Sequence, residues 1–227
     1  MAELRTASES RCLGLFTRRV RWGLSGRGLA ALVAVGVGLG LVFVFGAYPY
    51  FAITDRVDTR LMAVEGWVDA HTFRMAAEEF KTRGYERVFS TGGPVRGVGG
   101  YKNDYSTAAS IGAGQLRTAG VPAAQVQMTP SRVSARDRTY SAAVALRDWC
   151  RENQVELKAI NVVTVDVHAR RTRLLYQKAL GPEVKVGVIS VASPDYDARR
   201  WWRYSEGVRA LLGECIAWVY ARFLFYP

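Results

Sequence analysis

Ala159-Ile160-Asn161-Val162-Val163-Thr164-Val165 is the stretch that decides the fold, and it runs directly into Asp166-Val167-His168-Ala169. Its residues are mostly apolar and β-branched, and no charged residue interrupts them. Such a run is typical of a central strand in a parallel sheet, where helices cover both faces. The residues that follow predict a helix over Ala169–Leu180, which ends at Gly181-Pro182.

The same alternation of strand and helix extends to both sides of this stretch. The apolar patterns predict further strands at 61–64, 87–91, 126–129 and 184–191. They predict further helices at 70–83, 106–118, 140–152 and 199–223. Short connections between alternating strands and helices favour a parallel sheet. We therefore predict an α/β fold, a Rossmann-like parallel sheet with helices on both faces, in a domain over residues 55–227.

A long apolar run lies before this domain. Residues 28–54 contain 27 residues without a charged side chain. A helix rises about 1.5 Å per residue, so roughly 20 residues cross the apolar core of a bilayer, and we interpret residues 28–50 as a transmembrane anchor. A cleavable signal peptide is the main alternative, but its apolar region would be about 7–15 residues long. The run also ends in Tyr48-Pro49-Tyr50-Phe51, an aromatic exit typical of a membrane interface.

The charges that flank this run predict its orientation. Residues 1–27, interpreted as a basic cytoplasmic tail, carry six arginines and two glutamates, a net charge of +4. Residues 55–60 carry two aspartates and two arginines, a net charge of zero. The positive-inside rule then predicts a single-pass protein of the inner (cytoplasmic) membrane. Its N-terminus would be cytoplasmic, and its C-terminal domain periplasmic or external.

The charge of the whole chain first suggests a nucleic-acid partner. The net charge is +11, from 31 lysines and arginines against 20 aspartates and glutamates. No nucleic-acid recognition motif stands out, and the predicted topology places the domain away from DNA, so we predict no nucleic-acid partner. Three cysteines and two histidines without a C-x-x-C motif indicate neither a disulfide framework nor a zinc site. We predict no metal ligands, and the sequence does not identify a cofactor.

Polar residues follow the predicted strands at the edge where open parallel sheets bind ligands. Glu65 follows the first strand, and Thr91-Gly92-Gly93 ends the second. Paired glycines let backbone N–H groups approach an anion closely, although a tight turn without a ligand explains them equally well. Asp166 and His168 follow the strand quoted first.

His168 and Arg171 are three residues apart and share a face if the helix has already begun. A helix N-terminus, an imidazole and a guanidinium together favour phosphate or carboxylate as the ligand. His168 would then be a general acid or base, which Glu65 or Asp166 orients, unless that carboxylate holds a metal. The alternative is that the arginines form a solvated helix face and that His168 is a cap.

Three spaced motifs and the N-terminal anchor resemble the family of SanA, ElyC and YdcF proteins. The motifs are Ser90-Thr91-Gly92-Gly93, then Gly120-Val121-Pro122 followed by Thr139 at the start of a helix, and Val163-Thr164 followed by His168-x-x-Arg171. The resemblance covers about residues 61–191. It implies a Rossmann-like fold and a role in the bacterial cell envelope, in barrier function and peptidoglycan assembly, without a settled family-wide reaction.

The sequence departs from this family in three places. The family often has a glutamate at the start of the helix after the glycine-rich loop, where this chain has Tyr105-Ser106-Thr107-Ala108. It often has an acidic residue or asparagine just after the threonine matched to Thr139, where this chain has Tyr140. The first strand here ends in Glu65-Gly66-Trp67 instead of a plain glycine turn. Either the protein binds a ligand without catalysis, as a ligand-binding or scaffolding protein, or Glu65 or Asp69 replaces the missing group.

These observations define the candidate site. The candidate catalytic residues are His168, Glu65 and Asp166. The candidate ligand-binding residues are Thr91, Gly92, Gly93, Thr139, Thr164 and Arg171. The ligand would be phosphorylated or otherwise anionic, either lipid-linked or nucleotide-like. The protein would act in the assembly of peptidoglycan or envelope polysaccharide.

The last predicted helix leaves two interpretations open. Its apolar residues recur at helical spacing, which is chiefly the pattern of a core face. Its aromatic end could instead rest on the membrane surface. The preceding Trp201-Trp202, flanked by arginines, could pack on the domain or touch lipid headgroups.

Overall fold

A five-stranded parallel sheet forms the centre of the domain in the computed structural model, which describes residues 24–227 except 96, 98, 134 and 135, together with residues 10–11 and 16–17. The strands are β1 (Leu61–Glu65), β2 (Arg87–Gly92), β3 (Val126–Pro130), β4 (Ala159–Val165) and β5 (Lys185–Val191). They are hydrogen-bonded in the order β3-β2-β1-β4-β5, and all four neighbouring pairs are parallel. The predicted Rossmann-like α/β fold is confirmed.

Six helices accompany the sheet. They are α1 (Gly26–Phe51), α2 (Ala70–Arg83), α3 (Ala108–Thr118), α4 (Arg138–Glu152), α5 (Ala169–Leu180) and α6 (Ser205–Val219). Shorter helical turns cover Asp104–Ser106, Ala123–Gln125, Asp166–His168, Ala198–Arg203 and Tyr220–Leu224. Ser10–Arg11 pairs antiparallel with Phe16–Thr17. The residues before α1 otherwise lie outside the described part of the chain.

Alternate residues of each strand build two cores, one on each face of the sheet. Helices α2 and α3 cover the first core, where Met62 and Val64 of β1 pack against Phe73 and Leu116. Helices α4 and α5 cover the second core. The chain changes faces in the crossover from β3 through α4 to β4, next to β1. The strand ends on either side of this reversal are where doubly wound sheets bind ligands.

Helix α2 shows why local sequence predicted element boundaries well. The side chain of Asp69 accepts a hydrogen bond from the backbone N–H of Thr72 at 3.0 Å, which caps the first turn. Gly84 ends the helix with a φ of 69°, in the left-handed region that glycine adopts at little cost. The observed helix therefore has the predicted bounds.

Helix α1 is the one helix among the described residues that is long and apolar enough to cross a membrane. Residues 1–43 and 44–227 form two compact units, so the last turns of α1 belong to the folded domain. In that domain Ala47 and Phe51 are buried in a cluster with Trp201 and Leu211. The C-terminal end of α1 is thus part of the core of the domain.

The segment between α1 and β1 is fixed to the sheet. Asp55 and Val188 of β5 exchange two backbone hydrogen bonds, of 2.8 and 2.9 Å. The side chain of Asn161 accepts from the backbone N–H of Val57 and donates to its carbonyl, both at 2.9 Å. This segment covers part of the β5 edge, which limits pairing with another chain.

The C-terminal helix differs from the single helix predicted over residues 199–223. The chain forms a tight turn over Ala198–Arg203, leaves helical geometry at Tyr204 and then forms α6. Gly207 permits this turn to pack on the first turn of α6, because a Cβ there would lie 2.5 Å from the Trp201 carbonyl oxygen. Helix α6 ends in a wider π-helical turn over Tyr220–Leu224.

We expect a chain that begins at Asp55 to be less stable than one that begins at Val44. The shorter chain loses Ala47 and Phe51 from the core, and burial of one large apolar side chain contributes roughly 1.5–3 kcal/mol. Thermal unfolding of the two purified chains measures the difference. Equal melting temperatures would show that the exit of α1 is not part of the domain.

Candidate functional site

A cleft of about 850 Å³ opens at the carboxyl ends of β1 and β2. The loops after these strands form its floor, and the start of α4 and the inner side of α6 form its walls. Its polar lining residues include Glu65, Thr91, Arg136, Asp137, Arg138, Thr139, His168, Arg171 and Glu214. Its apolar lining residues include Val68, Leu175, Ala217, Tyr220 and Phe225. This is the edge at which the sequence predicted the site.

Glu65, the last residue of β1, is a buried carboxylate held by two hydroxyl groups. Only 1% of its surface is exposed. The hydroxyl of Thr164 on β4 donates to Oε2 at 2.5 Å, and that of Thr172 on α5 donates to the same oxygen at 3.0 Å. A buried carboxylate needs such partners because burial without them is costly. Thr164, predicted to bind ligand, instead lies behind Glu65 and fixes it.

His168 lies between two carboxylates. Its Nε2 is 3.6 Å from Oε2 of Glu65, and its Nδ1 is 2.7 Å from Oε1 of Glu214. The ring of Trp67 meets the imidazole edge to face, with ring centroids 4.8 Å apart. The helical turn Asp166–His168 places the imidazole here, at the start of α5.

Arg171 joins the same cluster through Glu214. Its Nε and one terminal nitrogen donate to the two carboxylate oxygens of Glu214 at 2.8 and 2.9 Å, a bidentate geometry. Burial alone would raise the pKa of the Glu214 carboxyl, but the hydrogen bonds and charges of Arg171 and His168 outweigh burial and lower this pKa to about 2. Most of the Arg171 fork is therefore directed at Glu214, an acceptor that sequence analysis did not assign to it.

The guanidinium of Arg171 also contacts the imidazole directly. The terminal nitrogen that contacts Glu214 lies 2.8 Å from Nδ1 and 3.3 Å from Nε2 of His168, so it lies over the face of the ring. Glu214, in contrast, is the partner of Nδ1 alone. The imidazole is therefore held in place by Glu214 at Nδ1 and by Arg171 over its face.

Glu214 is the functional candidate that sequence analysis missed. Sequence analysis did not assign Glu214 to the site. A signal was present, because Glu214 falls on the same helical face as Leu211 and Trp218, at spacings of three and four residues. A charged residue on an otherwise apolar inner face needs a buried partner, and here Arg171 and His168 are those partners.

The glycine-rich turn after β2 packs closely against two neighbouring segments. Gly92 has a φ of 143°, and a Cβ there would lie 2.9 Å from Cβ of Ala108 at the start of α3. A Cβ on Gly93 would lie 2.5 Å from the carbonyl oxygen of Val133. Close packing therefore accounts for both glycines, although both also line the cleft. Thr91 lines the cleft too, and its hydroxyl lies 2.8 Å from that of Tyr176.

The start of α4 forms the wall of the cleft on the β3 side. Thr139, predicted to bind ligand, lies here in the first turn of this 15-residue helix, next to Arg136, Asp137 and Arg138. The helix dipole and the unpaired N–H groups of a first turn favour an anion. The side chain of Arg136 is 91% exposed. This wall is on the β3 side of the cleft, and the cluster around His168 is on the β4 side.

The structure does not bring Asp166 to the cleft. Its carboxylate is 4% exposed and accepts hydrogen bonds from the hydroxyls of Tyr48 and Tyr196. Its φ of 55° is left-handed, and the helical turn there directs Asp166 and His168 to different partners. Burial raises the pKa of the Asp166 carboxyl, although the hydrogen bond from Tyr48 acts in the opposite direction. Glu65, not Asp166, is thus the carboxylate next to His168.

The described residues contain no group of three or more His, Cys, Asp or Glu side chains placed to hold a metal ion. The possibility that Glu65 or Asp166 holds a metal has no support from this part of the chain. The two carboxylates near His168 have other partners, which are threonine hydroxyls for Glu65 and a guanidinium for Glu214.

Glu214→Gln should remove a pH-dependent contribution to stability. The folded-state pKa of Glu214 is about 2, below an unfolded value of about 4.3, so its contribution is present above pH 4.3 and is lost as pH falls towards 2. At pH 7 we expect the free energy of unfolding of the variant to be lower than that of the natural chain by on the order of 2–3 kcal/mol. Urea unfolding in detergent between pH 2 and pH 7 measures this difference.

Glu206→Gln on the same helix is the matched control. Glu206 pairs with Arg209 at 3.0 Å, but both side chains are largely exposed, so we expect little change. If the difference in free energy of unfolding between Glu214→Gln and the natural chain does not change with pH, Glu214 is not a buried, ionised partner.

Comparison of the chain with known proteins identifies no relative. No protein-family model, no curated protein and no solved structure matches the chain. The resemblance to SanA, ElyC and YdcF proteins therefore depends on the quoted motifs alone and stays a prediction. The functional argument depends on the fold and on the contacts of the cleft.

Proposed function

We propose that this chain is a membrane-anchored protein of the bacterial cell envelope whose α/β domain binds a phosphorylated or otherwise anionic ligand in the cleft. The observation that identifies the cleft as the functional site is the buried cluster of His168 with Glu65, Glu214 and Arg171 at the carboxyl edge of the sheet. Such a concentration of buried ionisable groups in a cleft is typical of a functional site. The role would belong to peptidoglycan or envelope-polysaccharide assembly, as the resemblance implies.

The contacts support different roles for the two sides of the cleft. On the β4 side the carboxylates of Glu65 and Glu214 would repel an anion, and Glu214 already engages the Arg171 fork. On the β3 side the first turn of α4 and the backbone near Gly93 favour an anion, and Arg136, whose Nε lies 3.6 Å from Oδ2 of Asp137, is exposed beside them. We therefore place the phosphate or carboxylate of the ligand at the start of α4. The group that exchanges a proton lies near His168.

His168 is the proposed general acid or base. Its Nδ1 lies 2.7 Å from Glu214, which positions the ring, and its Nε2 lies 3.6 Å from Glu65 at the cleft. Nε2 is the nitrogen that would exchange a proton with the substrate, because a general acid or base must lie within hydrogen-bond reach of the reacting group. The substrate class on this proposal is a lipid-linked or nucleotide-like phosphate ester. The N-terminal helix would hold the domain at the inner membrane, with the N-terminus cytoplasmic and the domain outside.

A specific observation favours a second candidate, a ligand-binding or scaffolding protein without catalysis. Each side chain of the cluster has a partner within the protein, as expected for a structural network that joins β1, α5 and α6. The helix after the glycine-rich loop also lacks the acidic residue frequent in the family that the chain resembles. Turnover of a phosphate ester would distinguish the catalytic candidate from the non-catalytic one.

We expect Arg136→Ala to weaken anion binding by roughly 10- to 100-fold, because a charge-assisted hydrogen bond contributes roughly 1.5–3 kcal/mol and about 1.4 kcal/mol is a factor of ten. Thermal shift of the full chain in detergent, titrated separately with a polyprenyl diphosphate and a nucleoside diphosphate, measures binding by stabilisation. Arg74→Ala, an exposed arginine of α2 outside the cleft, is the matched control and should bind as the natural chain does. Equal affinities for both variants would refute the anion site at α4.

We expect His168→Asn to leave binding of these probes within about threefold while lowering turnover by roughly 10²–10⁴. Phosphate released from polyprenyl diphosphate and nucleoside diphosphate gives the turnover rate. Unchanged turnover in the variant would exclude His168 as acid or base. Stabilisation of the natural chain without any release of phosphate from either probe would favour the non-catalytic candidate.

A further inference from the structure

The outward face of the last helix is apolar, which is unusual for a helix on the surface of a domain. The large apolar residues exposed on this face and in the turn after it are Leu212, Ile216, Val219, Phe223, Leu224 and Tyr226, and we call this set the C-terminal apolar stripe. Ile216 is 74% exposed and Tyr226 85%. A surface helix normally turns its charged side outward. Here the inner side carries Glu214, and from Leu212 to Tyr226 the outer side carries Arg222 as its one charge.

The stripe belongs to a helix that packs on the exit of α1. The ring of Trp218 meets those of Tyr50 and Phe51 edge to face, with centroids 5.9 and 6.2 Å apart. In the turn before α6, the indole N–H of Trp201 donates to the carbonyl of Val44 at 2.9 Å. These contacts join the stripe to the residues at which the apolar run of α1 ends. A bilayer crossed by α1 would have its interface at this aromatic exit.

Basic residues accompany the stripe on its N-terminal side. The turn before α6 carries Arg199, Arg200 and Arg203, and all three are exposed. Exposed arginines next to aromatic and aliphatic residues are typical of helices that lie in a membrane interface. Anionic lipid headgroups attract basic residues at such positions.

We propose that the C-terminal apolar stripe lies in the membrane interface, with the arginines of the turn before α6 at the lipid headgroups. The protein would then contact the bilayer through two elements, α1 and the C-terminal apolar stripe. The opposite side of α6 carries Glu214 and Ala217, which line the cleft. The helix that contacts lipid on its outer side would thus line the cleft on its inner side.

Site-directed spin labels on the full chain test this proposal. The background is Cys12→Ser with Cys215→Ser, while Cys150 is retained because it is buried and burial raises its thiol pKa to about 11. Ile216→Cys and Phe223→Cys place the label on the stripe. Glu78→Cys on the exposed side of α2 is the solvated control, and Val37→Cys in α1 is the lipid control. The labelled chains are reconstituted into vesicles of phosphatidylethanolamine and phosphatidylglycerol.

The measured quantity is the collision rate of each label with oxygen, which enriches in lipid, relative to a water-soluble nickel chelate. We expect this ratio at positions 216 and 223 to be several-fold higher than at 78 and to approach that at 37. A ratio at 216 and 223 equal to that at 78 would overturn the proposal. Low collision rates with both reagents would also overturn it, because a second copy of the chain would then cover the stripe.

The control in α1 separates this proposal from the anchor itself. A water-like ratio at position 37 would refute the anchor and this proposal together. A lipid-like ratio at 37 with a water-like ratio at 216 would refute only the interfacial stripe. The ligand and reaction proposed for the cleft have no part in this measurement.

Discussion

Burial of the Glu65 carboxylate at the end of the central strand constrains the rest of the site. A buried carboxylate needs hydrogen-bond donors, and β4 and α5 supply them through Thr164 and Thr172. That requirement fixes α5 against the sheet and sets the position of His168 at its start. Glu214 contacts the other ring nitrogen of His168 and also pairs with Arg171. The ion pair between Arg171 and Glu214 joins α5 to α6. One buried charge thus connects β1 to the C-terminal helix.

The elements that sequence reasoning predicted well are those whose signals are local. The Asp69 cap and Gly84 mark both ends of α2, and the uninterrupted apolar run marks β4. The parallel sheet also followed, because short connections between alternating strands and helices favour it. Most of the predicted site residues line one cleft, because parallel strands end at one edge of the sheet. These residues are Glu65, Thr91, Gly92, Gly93, Thr139, His168 and Arg171.

The parts that could not be predicted depend on contacts between residues distant in sequence. Asp166 and His168 are neighbours, yet a left-handed residue and a helical turn send one to Tyr48 and the other to Glu214. The partner of Arg171 lies 43 residues further along the chain, and no local pattern specifies that pairing. The break before α6 likewise depends on the fit of Gly207 against Trp201, which is a tertiary contact.

The segment between α1 and β1 has a consequence for how the domain could be released from its helix. A protease requires an accessible, extended substrate, which a folded protein provides only when a segment opens. Asp55 is paired with Val188, Val57 is bound by Asn161, and the hydroxyl of Thr54 accepts from the backbone N–H of Ser190 at 3.0 Å. These bonds must break before cleavage can occur there. Separation of the domain from α1 by cleavage is therefore coupled to local unfolding of the β5 edge, and stabilising that edge protects the intact chain.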